Sequence, residues 1–109
     1  MTKETERAFQ ILYCEYKRRR KSGLPKQDAV CFEDAAIGAI EAFSKWLPAD
    51  ISYAIQELRN ANFIRVDILG NVELLELGIE FMEAKPKEFF RGVAEFFDLG
   101  AILGFVTGI

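Results

Sequence analysis

Two groups of side chains carry most of the chemistry this sequence can offer. Lys17, Arg18, Arg19, Arg20 and Lys21 are five consecutive cations, and Tyr53, Gln56, Arg59 and Asn60 fall on one side of a helical wheel. Guanidinium and ammonium groups neutralise phosphates or acidic surfaces. Gln and Asn amides can pair bidentately with adenine, and Arg with guanine. Glu57 shares that side of the wheel, and a carboxylate there repels phosphate. Other chemistries lack their reagents. The chain has no histidine, which removes the commonest general base and the commonest metal ligand together. Cys14 and Cys31 have no zinc spacing around them, and no phosphate-binding Gly-Lys-Ser/Thr loop occurs. Carboxylates are plentiful but scattered rather than paired. The residues therefore point away from an enzyme, and neither a metal nor a cofactor is expected.

A chain of 109 residues, half of them hydrophobic, suits one globular domain with its own core. The net charge of −3 is unevenly placed. Residues 1–26 carry +5 and residues 27–109 carry −8, so a basic segment precedes an acidic body. Both cysteines sit in apolar stretches and read as buried thiols of a reducing cytoplasm. The opening MTKETER is charged and has no apolar run, so no secretory signal is expected.

The elements that must position these residues follow from periodicity. Residues 4–21 form a first helix with Phe9, Leu12, Tyr13 and Tyr16 on its inner side, acids at its start and cations at its end, ended by Gly23. Ala29 to Phe32 is a short β-prone run able to serve as an edge strand. A second helix is expected from Asp34 to Trp46, weakened by Gly38. A third runs from Ile51 to about Asn62, with either Pro48 as first helical residue or Asp50 as cap. It places Ile51, Ala54, Ile55 and Leu58 inward. The period then changes to two: Ile64, Val66 and Ile68 face one way, Arg65 and Asp67 the other. Gly70-Asn71 makes the turn, and residues 72–75 complete a hairpin. A short helix covers 78–84, and a last, apolar one runs from Pro86 to about Thr107.

This order resembles the winged-helix fold, a helix-turn-helix variant found in small bacterial and phage proteins. DISYAIQELRNANFI resembles its third helix, and IRVDILGNVELLELGIEFME its wing hairpin followed by the Leu-Thr-x-x-Gly opening of the next helix. Leu74 and Gly78 match that opening, while Leu75 stands where Thr is common and Leu77 where Lys or Arg is common. The resemblance implies an α+β, mostly helical fold: three helices and a hairpin wing over residues 1–84, with residues 85–109 as an additional apolar C-terminal helix. It also implies that the third helix enters a major groove. Tyr53, Gln56, Arg59 and Asn60 would then meet bases, and Arg18, Arg19, Arg20 and Lys21 would meet phosphates. The wing offers little help, carrying Asp67 and Glu73 and no cation beyond Arg65.

The last 30 residues hold six of the ten phenylalanines, and Leu99 to Ile109 is uncharged. Eleven residues are too few for a membrane span, which needs about 20. Phe89, Val93, Phe96, Phe97, Gly100, Leu103 and Gly104 fall on one broad helical face, which reads as a dimerisation surface acting with the first helix. The expectation is a cytoplasmic, homodimeric, DNA-binding transcriptional regulator. The alternative is a non-enzymatic interaction or oligomerisation adaptor on the same scaffold, with the C-terminal helix as its binding surface. Charge discriminates between them: the adaptor gains if the third helix's outer face is neutral or acidic and the basic run points elsewhere.

Overall fold

The computed structural model describes residues 1–86 and 88–90. Its centre is α1 (Lys3–Lys21). The Thr2 hydroxyl accepts the Thr5 amide at 3.1 Å and caps the first turn. At the other end Leu24 N–H donates to Arg19 O and Gly23 N–H to Arg20 O, with Gly23 at φ +105°. That left-handed residue closes a Schellman motif, a conformation that suits glycine. Every residue from Ala8 to Lys17 is buried, because other elements pack around α1 on several sides.

A short helix not expected from the sequence, α2 (Lys26–Ala29), follows Pro25 and leads into strand β1 (Cys31–Phe32). Phe32 points into the core and Cys31 outward, so the expectation of two buried thiols holds for Cys14 alone. The strand's two-residue period forces this, since neighbours on a strand face opposite ways.

The expected helix from Asp34 to Trp46 is not continuous. It breaks into α3 (Asp34–Gly38) and a 3-10 turn at Glu41–Phe43, with Ile40 extended between them at φ −66°, ψ 124°. Glycine at position 38 costs the helix about 1 kcal/mol relative to alanine. Five residues of helix have little cooperativity of their own, so packing decides. The break sends Ile37, Ala42 and Phe43 into the core and sets Phe43 edge-on to Trp46 at 5.3 Å.

Pro48 is the first residue of α4 (Pro48–Asn60), resolving the choice between Pro48 and Asp50. Ala54 and Leu58 are buried, and Ile51 and Ile55 pack beside them. Asn62 at φ 62° ends this helix, with Phe63 N–H donating to Leu58 O.

Strands β2 (Ile64–Val66) and β3 (Val72–Leu74) then form the expected hairpin, and β1 adds to its far side. The sheet is antiparallel throughout, in the order β1-β3-β2. Ile64, Val72 and Leu74 are buried while Arg65 is exposed. The connection is a five-residue loop, 67–71, rather than a Gly70-Asn71 turn. β2 ends at Val66, so Ile68 does not join Ile64 and Val66 on the inner face; it is fully exposed.

Helix α5 (Glu76–Glu83) starts two residues before its expected position. Gly78 lets it approach α1: a Cβ there would lie 2.5 Å from the Phe9 ring and 2.9 Å from the Phe63 carbonyl. Beyond residue 84 the described chain stays on the body. Lys85 pairs with Glu6 at 3.1 Å, Gln10 donates to the Phe89 carbonyl, and Phe90 is fully buried with its ring 5.8 Å from that of Tyr13. The rest of the expected final helix, including Val93, Phe96, Phe97, Gly100, Leu103 and Gly104, lies outside the described residues.

The observed architecture is thus α+β and mostly helical with one small antiparallel sheet. Among the described residues, no helix is long and apolar enough to cross a membrane.

Candidate functional site

Helix α4 presents the residues expected to contact a partner. Tyr53 is 58% exposed, and Gln56, Arg59, Asn60 and Ser52 are exposed with it. Among the described residues, no hydrogen bond or ion pair uses the side chains of Gln56, Arg59 or Asn60. Burying Ala54 and Leu58 against α1 fixes this outward set, because residues one and two steps round the helix must then face solvent. Glu57 behaves differently from its neighbours. Its carboxylate turns to the start of α1, accepting the Thr2 amide at 3.0 Å and the Thr2 hydroxyl at 3.4 Å. The Thr2 amide, with the Thr5 hydroxyl second, holds this carboxyl below the usual range.

The basic run is largely occupied by the fold itself. Arg18 and Arg19 share the Glu15 carboxylate at 2.5 and 3.2 Å. Arg19 also donates to the Cys31 carbonyl at 2.7 Å and lies 4.2 Å over the Phe32 ring, so it ties α1 to β1. Arg20 donates to the Leu24 carbonyl at 3.2 Å, and Lys17 pairs with Glu83 at 3.3 Å beneath α5. Lys21 is exposed. These cations stand at one end of α1, whereas Glu57 grips Thr2 at the other. Sixteen residues of helix place Arg18 about 24 Å from Thr2. The structure does not gather the basic run and the Glu57 end of α4 into one site.

The hairpin adds no free positive charge. Arg65 and Glu73 sit directly opposite each other on β2 and β3 and pair at 2.6 Å. Its loop carries a feature that sequence reasoning missed. Ile68 is 101% exposed and Leu69 is 74% exposed, side by side at the tip. The Asp67 carboxylate accepts the amides of Leu69 and Asn71, each at 2.9 Å, and the Asn71 side-chain amide at 3.1 Å. Those hydrogen bonds, the Asn71 amide foremost, lower the Asp67 pKa. Asp67 followed three residues later by Gly70 was the available signal, since Asp favours such local turns and glycine supplies the positive φ of +86°.

Two concavities flank these features. One of about 460 Å³ lies over the sheet, lined by Phe32, Val66 and Val72 with the Arg65–Glu73 pair. Another of about 350 Å³ lies between the end of α1 and α3, lined by Ala36, Ala39 and Ile40 with Glu15, Arg18, Arg19 and Glu41. No three His, Cys, Asp or Glu side chains cluster as metal ligands among the described residues.

No family model, no curated protein and no solved structure matches this chain.

The α4 face offers amide, phenol and guanidinium groups of low net charge, and the hairpin tip offers two aliphatic side chains.

Proposed function

We propose that this protein is a non-enzymatic interaction module on a winged-helix scaffold, and that its partner is a protein rather than duplex DNA. The succession α1, β1, α3, α4, β2–β3 and the sheet order β1-β3-β2 support the scaffold. The observation that carries the partner class is the fate of the positive charge. Duplex affinity comes largely from neutralised phosphates. Arg18 and Arg19 share the one Glu15 carboxylate at the end of α1 remote from Glu57, and Arg65 pairs with Glu73. The exposed α4 face keeps Arg59 as its one cation, which is too little for phosphate-driven binding. A polar helix face of low charge and an apolar loop tip are suited instead to a protein surface.

A second reading, the DNA-binding regulator, is favoured by one observation. Tyr53, Gln56, Arg59 and Asn60 are all exposed on the same helix face, where base edges could be read. A polarisation assay with labelled random duplex at low salt separates the two. The module reading expects no salt-sensitive binding. Binding that weakens steeply as salt rises, and that R59A/N60A abolishes, would replace it with the regulator.

A further inference from the structure

Helix α1 is covered on a side that α2, α4, α5 and the sheet do not face. At about 100° per residue, Cys14 lies about 140° round from Phe9, the residue that meets α5 at Gly78. It lies about 180° round from Thr5, whose hydroxyl bonds Glu57 of α4. It is also about 140° from Arg19, which reaches the carbonyls of Ala29 and Cys31 in α2 and β1. Yet Cys14 is fully buried, and so are its neighbours Gln10 and Ile11 one turn back.

Two edges flank this side. On one, Gln10 donates to the Phe89 carbonyl and the Phe90 ring rests against Tyr13. On the other, Ala36, Ala39 and Ile40 of the α3 region stand across a cavity of about 350 Å³ from Glu15 and Arg18. Ile11 and Cys14 lie in the trough between.

The chain leads into this trough. Lys85 pairs with Glu6, Phe89 meets Gln10 and Phe90 meets Tyr13, so successive attachments advance along α1. Residues 91–109 follow, a length that as helix would match the nineteen residues of α1. Leu99 to Ile109 carries no charge. An uncharged cover suits Cys14, because burial alone pushes its thiol up to about 12 and no neighbouring charge adds to the shift. A segment tethered directly to a seated Phe90 also meets the trough at an effective concentration on the order of millimolar, well ahead of a second copy in dilute solution.

We infer that residues 91–109 fold back over α1 of their own chain and close the trough above Ile11 and Cys14. This goes beyond the interaction-module reading and does not depend on it. It takes the apolar tail away from the surface open to partners and leaves the α4 face and the loop tip.

The Cys14 thiol reports on the cover. In full-length C31S, which keeps one thiol, native-state labelling of Cys14 should be slow and its rate unchanged over a hundredfold dilution. Adding F96D/L103D in the tail should speed labelling at least roughly tenfold beyond what the variant's loss of global stability, measured by urea titration, accounts for. L58A, which weakens the core on the α4 side, should speed labelling only in step with its stability. The inference is overturned if Cys14 labels as an open thiol in the parent. It is overturned equally if protection fades on dilution, the mark of a second copy as cover, or if the tail variant labels only in step with its stability. None of these outcomes bears on duplex binding, which tests the module reading separately.

Discussion

The Glu57 carboxylate of α4 accepts the Thr2 amide at 3.0 Å, so a residue on the candidate recognition helix also holds the first turn of α1. Thr2 in turn caps α1 through the Thr5 amide. A carboxylate at a helix N-terminus is favoured by the unpaired amides and the helix dipole. The Glu57 carboxylate stays ionised between Thr2 and Tyr53, and the central helix gains an anchor.

Glu57→Gln should lower the melting temperature at neutral pH, with a difference that disappears in acid. The Glu57 carboxyl titrates below its ordinary value of 4.5 when folded, because the Thr2 amide bonds its ionised form. Its contribution is therefore complete above that value and is lost as pH falls through the depressed folded value. Thermal melts of both proteins from neutral pH down through the carboxylate range check this. A constant difference at every pH would mean that the charge on Glu57 contributes nothing.

Within the basic run, Arg19 and Lys21 should respond very differently to truncation. Arg19→Ala removes a stack on Phe32, a bond to the Cys31 carbonyl and a share of Glu15, and should cost about 2 kcal/mol. Lys21→Ala at an exposed position should stay within about 0.5 kcal/mol. Urea titration of the two variants measures the contrast.

Two core substitutions should shift stability in opposite directions. Gly78→Ala forces a methyl against the Phe63 carbonyl and Phe9 ring, and overpacking of this kind costs about 1–3 kcal/mol. The gain in helix propensity, about 1 kcal/mol, offsets part of that, leaving net destabilisation. Tyr13→Phe removes a buried hydroxyl that has no hydrogen-bond partner among the described residues, and should stabilise the fold by about 1 kcal/mol. Denaturant midpoints decide both. A Tyr13→Phe variant less stable than wild type would show that the hydroxyl is satisfied after all.

The two thiols should label at very different rates. Burial pushes the Cys14 thiol up to about 12, leaving almost no thiolate at neutral pH, whereas Cys31 is exposed on β1. A thiol reagent should modify Cys31 on the folded protein and reach Cys14 only on unfolding. Mass spectrometry of the labelled peptides reads the site directly.

Much of the backbone plan was legible beforehand, for local reasons. Cations at the end of α1 with Gly23 beyond them, a helix start at Pro48 or Asp50, and the change of period after Asn62 each reflect interactions within a few residues. The break at Ile40 was not legible. Gly38 hinted at weakness, but only the requirement that Phe43 enter the core separates α3 from the 3-10 turn. The candidate surface divides in the same way. Gln56, Arg59 and Asn60 were readable as outward because helical geometry sets them opposite Ala54 and Leu58. Ile68 was misread because alternation alone does not say where a strand stops.

By itself, then, the sequence determined α1, α4 and the hairpin, their order and most of their inner faces, since periodicity and caps act over one or two turns. The tertiary structure alone decided which charges remain available. Whether an arginine meets solvent, Phe32 or Glu15 depends on chain segments brought together from a distance, and no local pattern encodes that meeting. The same dependence turned Glu57 from the α4 face to Thr2, and carried the Ile68–Leu69 pair clear of the core.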